Sequence, residues 1–197
     1  VALWLMLLMV PGAILRADDV GSEPETAAAE LSDQQQNFVK KMVEEHGFER
    51  QVVEDLLRGA EKKQTIIDAM NRPAEKVLSW KDYRKIFITE KRIVQGAQFW
   101  RENRKALQRA EETYGVDAEI IVAIIGVETS YGRNKGSWRV IDALATLAFD
   151  YPKRSRFFTG QLEEFLLLTR EQQKDPMTIT GSYAGAMGYG QFIPSSY

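Results

Sequence analysis

An all-α fold is predicted by three features of this sequence. Apolar residues recur three and four positions apart through most of it, glycine and proline fall where those stripes stop, and nowhere do apolar and polar residues alternate between hairpin turns. In chain order, residues 2–10 are almost wholly apolar, and Pro11 and Gly12 break the run. About ten apolar residues are too few to cross roughly 30 Å of bilayer, but they suit the core of a secretory signal with Ala17 before Asp18 as the cleavage edge. Residues 1–17 are thus expected to be a secretory signal-like segment. Residues 18–32, rich in Glu, Ala, Asp and Ser, are expected to be a flexible linker with too little apolar surface to offset the entropy of folding.

Ser32 is placed to cap a helix whose stripe is Phe38, Met42 and Val43 and whose end is Gly47. Val52, Val53, Leu56 and Leu57 predict a second helix, and Ile66, Ile67 and Met70 a third that stops near Pro73. Tyr83, Phe87, Ile93, Phe99, Trp100 and Leu107 recur at helical intervals, so one long helix is expected over 81–114, closed by Gly115. Helices over 117–130, 138–149 and 153–170 follow, with a glycine-containing loop at 132–136. From Asp175 the style changes: glycines alternate with Tyr183, Met187, Tyr189 and Phe192. An N-terminal helical region over 33–110 and a core over 111–197 are the expected units. The chain opens on Val1 and stops at Tyr197 without a terminating signal, so truncation is expected at both ends.

Composition narrows the chemistry. The 197 residues are 44% hydrophobic, and 28 acidic against 26 basic side chains leave a formal charge of −2, so no broad field attracts nucleic acid. The chain has no cysteine, which removes disulfides, thiolate metal sites, thiol nucleophiles and a lipid-bearing thiol. His46 is the single histidine and sits in a polar helix end, which excludes a multi-histidine zinc site and reads as a solvated terminus.

Ile120, Ile121, Ile124, Ile125 and Glu128 share one side of a helix, which sets a carboxylate in line with an apolar ridge. Apolar surroundings disfavour the charged form, so such a group can deliver a proton near neutrality and take it back. The placement suits equally a structural glutamate paired with Arg133, Arg139 or Arg154, and the pattern alone does not separate the two. A glycosidase of the common type needs a second carboxylate. Asp142, Asp150, Glu163 and Glu164 read instead as helix caps or surface charges, which leaves a one-carboxylate mechanism on a substrate that carries its own nucleophile. Residues 181–192 combine glycines for close approach, tyrosine faces, and hydrogen-bonding groups on Ser182 and Gln191. That mixture fits a sugar ring, or a tight crossing that needs small residues. Tyr151-Pro152-Lys153-Arg154 is either a binding lip or a capped helix start.

Four ordered blocks carry a resemblance: 124–132 (Ile-Ile-Gly-Val-Glu-Thr-Ser-Tyr-Gly), 141–149, Tyr151-Pro-Lys-Arg154, and 181–197. Together they resemble the murein transglycosylase B family, the third family of bacterial lytic transglycosylases, with a lysozyme-like fold. The resemblance implies a lysozyme-like transglycosylase core with an N-terminal helical extension, truncated at the C-terminus. It implies Glu128 as the only catalytic acid/base, cleaving between N-acetylmuramic acid and N-acetylglucosamine and closing a 1,6-anhydro ring. It further implies sugar contacts at Ser182 and Gln191 and a binding groove reached by Arg154 and Lys153; the residue mixture of 181–192 adds Tyr183, Tyr189 and Phe192 as candidate aromatic faces for the substrate. Lys153 stands where the family has a second arginine, which removes a planar fork. No cofactor is implied for the chemistry and no metal by this stretch; a structural calcium loop is expected only past Tyr197. Peptidoglycan glycan strands are the expected partner, with cell-wall synthesis proteins beside them, in the periplasm and in soluble form. A lysozyme-like hydrolytic muramidase and a non-catalytic peptidoglycan-binding module are the competing readings.

Overall fold

A computed structural model describes residues 30–72 and 79–197. The signal-like segment, most of the linker and Pro73 lie outside the described residues.

Ser32 caps α1 (Asp33–His46): its hydroxyl accepts from the Gln35 amide at 3.4 Å while Gln35 Oε1 accepts from the Ser32 amide at 2.9 Å. Helices α2 (Arg50–Gly59) and α3 (Gln64–Met70) follow as predicted. The long helix expected over 81–114 is instead three: α4 (Trp80–Phe87), α5 (Glu90–Glu102) and α6 (Arg104–Tyr114). The breaks fall at residues whose side chains compete for the backbone. The Thr89 hydroxyl accepts from the Arg92 amide at 3.3 Å and so starts α5, and Asn103 Nδ2 donates to the Phe99 carbonyl at 2.9 Å at its end. Apolar periodicity survives both breaks, which is why it did not reveal them.

After α7 (Ala118–Thr129) the chain does not start its next helix at Trp138. Trp138–Arg139 form β1, paired antiparallel with β2 (Thr180–Gly181) in the register Trp138 to Gly181 and Arg139 to Thr180. This two-residue ribbon is too short to show alternation. Helix α8 (Val140–Phe149) then runs through the centre of the molecule, with every residue from Val140 to Ala148 buried. A 3-10 turn at Pro152–Arg154 leads into α9 (Ser155–Glu171), which packs along α8 through Phe158, Leu162, Phe165 and Leu166. The fold class is all-α as expected, with the ribbon as its small exception.

Among the described residues two hydrophobic clusters result. The larger joins α1, α2 and α3 to α8, α9 and Met187; the smaller holds Leu107, Ala118 and Val122, flanked by Phe99, Trp100, Ile121 and Tyr131. Each draws helices from both sides of residue 110. Among the described residues no helix is long and apolar enough to cross a membrane.

Candidate functional site

Glu128 is the penultimate residue of α7 and is exposed. The apolar enclosure expected for it is not formed by the described residues: Ile120, Ile124 and Val127 are themselves 52%, 50% and 46% exposed. The helix buries its opposite side, Ala118, Val122, Gly126 and Thr129. Spacing located the ridge correctly, but spacing does not say what covers a ridge. The cations that could have neutralised Glu128 are engaged elsewhere. Arg139 binds Asp142 at 2.8 Å, Arg154 lies 4.3 Å from the Phe157 ring centre, and Arg133 leans on the Ser130 carbonyl at 3.5 Å.

The chain leaves α7 through three successive left-handed residues, Ser130 (φ 50°), Tyr131 (62°) and Gly132 (81°). Non-glycine residues hold such angles only when their surroundings compel it. Arg92 of α5 donates to the Gly126 carbonyl at 2.7 Å, and Thr129 fastens the turn from beneath. Gly132 lies against the Tyr189 ring so closely that a Cβ would sit 2.1 Å from it. Glycine is therefore required there for both angle and space.

The glycine-rich segment closes on the same turn. It folds back on itself through Ser182 N to Ala186 O at 2.8 Å and reciprocal bonds between Met187 and Phe192. The Ser182 hydroxyl accepts from the amides of Ala184 and Ala186 at 3.3 and 3.0 Å, which leaves its own proton to give. The amide group of Gln191 donates to the carbonyls of Lys135 and Gly188, both at 3.1 Å, which leaves Oε1 to accept. Tyr183, Tyr189 and Phe192 are 43%, 49% and 52% exposed, with Phe99 and the Lys135 ammonium beside the Tyr189 ring. A cleft of about 210 Å³ opens beside the turn, between α5 (Gln95, Gln98, Phe99, Glu102) and Tyr131, Gly132 and Arg133.

The turn that follows Glu128 thus meets Tyr189, while Gln191 is bonded to the loop at Lys135, and Ser182 lies in the same glycine-rich segment. Lys153 and Arg154 are not joined to that turn by any such bond. They follow the end of α8 remote from the β1–β2 ribbon, where Lys153 Nζ donates to Asn71 Oδ1 at 2.8 Å. Thr129, Tyr131 and Arg92 were missed, because their roles depend on contacts between helices that spacing does not reveal.

Of the other carboxylates, Asp142, Asp150 and Glu163 have structural partners, and Glu164 is an exposed surface charge. Asp142, in the first turn of α8 and 2% exposed, accepts from the Glu61 amide at 2.9 Å and from Arg139, whose guanidinium it holds above its usual range. Asp150 pairs with Lys62. Glu163 ties α9 to α1, with Lys41 Nζ at 2.6 Å and His46 Nε2 at 2.7 Å. His46 is thereby a helix-terminal residue, as read, but one bonded across helices. Glu45, His46 and Glu163 are close enough to hold an ion. They do not suit calcium, which takes about six to eight oxygens, and Lys41 already occupies one Glu163 oxygen.

Residues 30–197 match the family of transglycosylase SLT domains. The chain belongs to that family. This SLT domain is 47% identical over 171 residues to membrane-bound lytic murein transglycosylase B of Escherichia coli, covering 82% of the chain and 47% of that protein. The crystal structure of soluble lytic transglycosylase SltB1 from Pseudomonas aeruginosa is 57% identical, with a TM-score of 0.81 over 83% of this chain and 55% of that one. The Escherichia coli lytic transglycosylase Slt35, solved in complex with bulgecin A, is 49% identical, with a TM-score of 0.78 over 84% and 53%. The chain therefore spans about half the length of the relatives it matches, and its lysozyme-like helical fold is theirs.

Proposed function

We propose that this SLT domain carries the acid/base half of a lytic transglycosylase site, which cleaves the bond between N-acetylmuramic acid and N-acetylglucosamine in peptidoglycan and leaves a 1,6-anhydromuramic end. The observation that carries this reading is a carboxylate with no ion-pair partner among the described residues, Glu128, beside a turn fastened to a segment of exposed aromatic rings and free hydrogen-bonding groups, while Asp142, Asp150 and Glu163 are each bound elsewhere.

Glu128 as its acid gives its proton to the glycosidic oxygen as the bond from the muramic C1 breaks. The acetamido oxygen of the same sugar closes on C1 as an oxazolinium-like species. Glu128, now a carboxylate, takes the proton of the C6 hydroxyl while that oxygen attacks C1 and displaces the acetamido oxygen. The proton count closes and no water or cofactor is consumed. The Ser182 hydroxyl proton and Gln191 Oε1 are complementary to the C=O and N–H of an acetamido group. Tyr183, Tyr189 and Phe192 offer flat faces to sugar rings. Lys153 and Arg154 are assigned to a more distant part of the groove. A structural calcium ion would be held by residues past Tyr197, and no step runs through it. The whole protein is assigned to the periplasm in soluble form, acting on glycan strands beside cell-wall synthesis proteins.

Mass spectrometry of purified peptidoglycan digested by the full-length protein tests the reading. Anhydromuramic ends are expected, and Glu128→Gln should abolish them. Reducing ends in their place would make the protein a hydrolytic muramidase, and a cellular role untouched by Glu128→Gln would make it a binding module.

A further inference from the structure

We propose that Thr129 is the positioning residue of this site: its buried hydroxyl fixes the height of the Glu128 carboxyl against the glycine-rich segment. The proposal rests on the role given to Glu128 above. Thr129 directly follows Glu128 and is fully buried, at 0% exposure. Its Oγ1 stands at a junction of three strands of backbone. It lies 3.1 Å from the Ile125 carbonyl one turn back in α7 and 2.9 Å from the Tyr189 carbonyl, and it accepts from the Gly132 amide at 2.9 Å. One hydroxyl proton is thus shared between α7 and the segment that presents Gln191, while the lone pairs secure the left-handed turn between them.

A threonine inside a helix can satisfy its hydroxyl on its own preceding turn. Here the shorter of the two carbonyl distances runs 60 residues away. The methyl group is buried with the hydroxyl, so helix geometry alone does not require an oxygen at this position. What the oxygen adds is a fixed separation between the Tyr189 backbone and the residue next to the proton carrier. Glu128 itself has no side-chain bond among the described residues that would serve, and it lies on the side where α7 exposes Ile120, Ile124 and Val127. A misplacement of about 1 Å in a reacting group can cost about a hundredfold in rate. Binding of the strand, by contrast, is assigned to the side chains of Ser182, Gln191 and the aromatic residues, and the hydroxyl bonds only backbone groups.

The test is a graded series in the full-length protein: Thr129→Ser keeps the hydroxyl, Thr129→Cys has a weak S–H donor, and Thr129→Val matches the shape without a donor. Release of anhydromuramic ends is followed at several concentrations of soluble glycan strand. The expected result is kcat falling in the order Thr, Ser, Cys, Val, with Ser within about threefold and Val down tenfold or more, while KM stays within twofold. Equal kcat across the series overturns the proposal, as does a Val loss confined to KM, or a Ser variant as impaired as Val. Should Thr129→Val fail to fold, the Ser and Cys variants still decide, since a purely steric role predicts no dependence on donor strength. Glu128→Gln in the same assay separates the two claims: if it retains wild-type turnover, the role of Glu128 fails, whatever Thr129 does.

Discussion

Glu163 shows how a single side chain can set the acid limit of this molecule. Burial pushes its carboxyl up, but the hydrogen bonds and charges of Lys41 and His46 together outweigh burial and hold it below its ordinary value of about 4.5. Unfolding returns the group to that value. Its contribution to stability is therefore fully present above about pH 4.5 and is lost as pH falls through the lowered folded value. Glu163→Gln is expected to weaken the protein at neutral pH and to flatten the acid side of its stability profile, measured by urea unfolding between about pH 3 and 7. Parallel profiles for the two proteins would show that the α1–α9 tie contributes nothing through charge. The sequence marked Glu163 as structural, and the reason was visible only in part. His46 and Lys41 lie 117 and 122 positions away, and no local pattern connects them. Glu128 is the converse case: its helix position was legible, and its exposure was not, because periodicity assigns a face without naming what packs against it.

At the scale of the elements, α5 and α7 meet through a tyrosine ring seated on two glycines. A Cβ at Gly96 would come within 2.6 Å of the Tyr131 hydroxyl, and one at Gly126 within 2.8 Å. Both glycines lie inside helices, where alanine would ordinarily be worth about 1 kcal/mol more. Here the close approach of the ring reverses that preference. Gly96→Ala is expected to destabilise by about 1–3 kcal/mol, the usual cost of an overpacked site. In a Tyr131→Gly background, which also relieves a φ of 62°, the same change should become neutral or stabilising by up to about 1 kcal/mol. A double-mutant cycle by denaturant unfolding reads the coupling; equal costs in both backgrounds would mean the ring is not what holds the helices apart. Gly126 stood inside one of the blocks that carried the family resemblance, yet Tyr131 was not singled out. A ring that leaves its own turn to pack between two other elements leaves no periodic trace, just as the breaks at Thr89 and Asn103 left none.

At the scale of the whole molecule, the two hydrophobic clusters of the described residues are unequal, and Glu128, the proposed acid/base, rides on the weaker. The larger surrounds α8, whose nine residues from Val140 to Ala148 are all buried, and takes in Phe158, Phe165, Leu162 and Leu166 of α9. The smaller has only Leu107, Ala118 and Val122 as its buried members, while α7 leaves Ile120, Ile124 and Val127 half in solvent. Free energies of local opening follow buried apolar surface, so α5, α6 and α7 should open well before α8 and α9. Native-state hydrogen exchange on the full-length protein is expected to find slower amides in α8 and α9 than in α5 and α6. The Gly132 amide is the informative exception. Because it donates to the buried Thr129 hydroxyl at 2.9 Å, it should exchange more slowly than its neighbour at Arg133. Uniform protection across the nine helices of the described residues would mean that the small cluster and its Tyr131 wedge bind as firmly as the α8 core. The attachment of Glu128 to the glycine-rich segment would then depend on packing at large rather than on the few bonds at the end of α7.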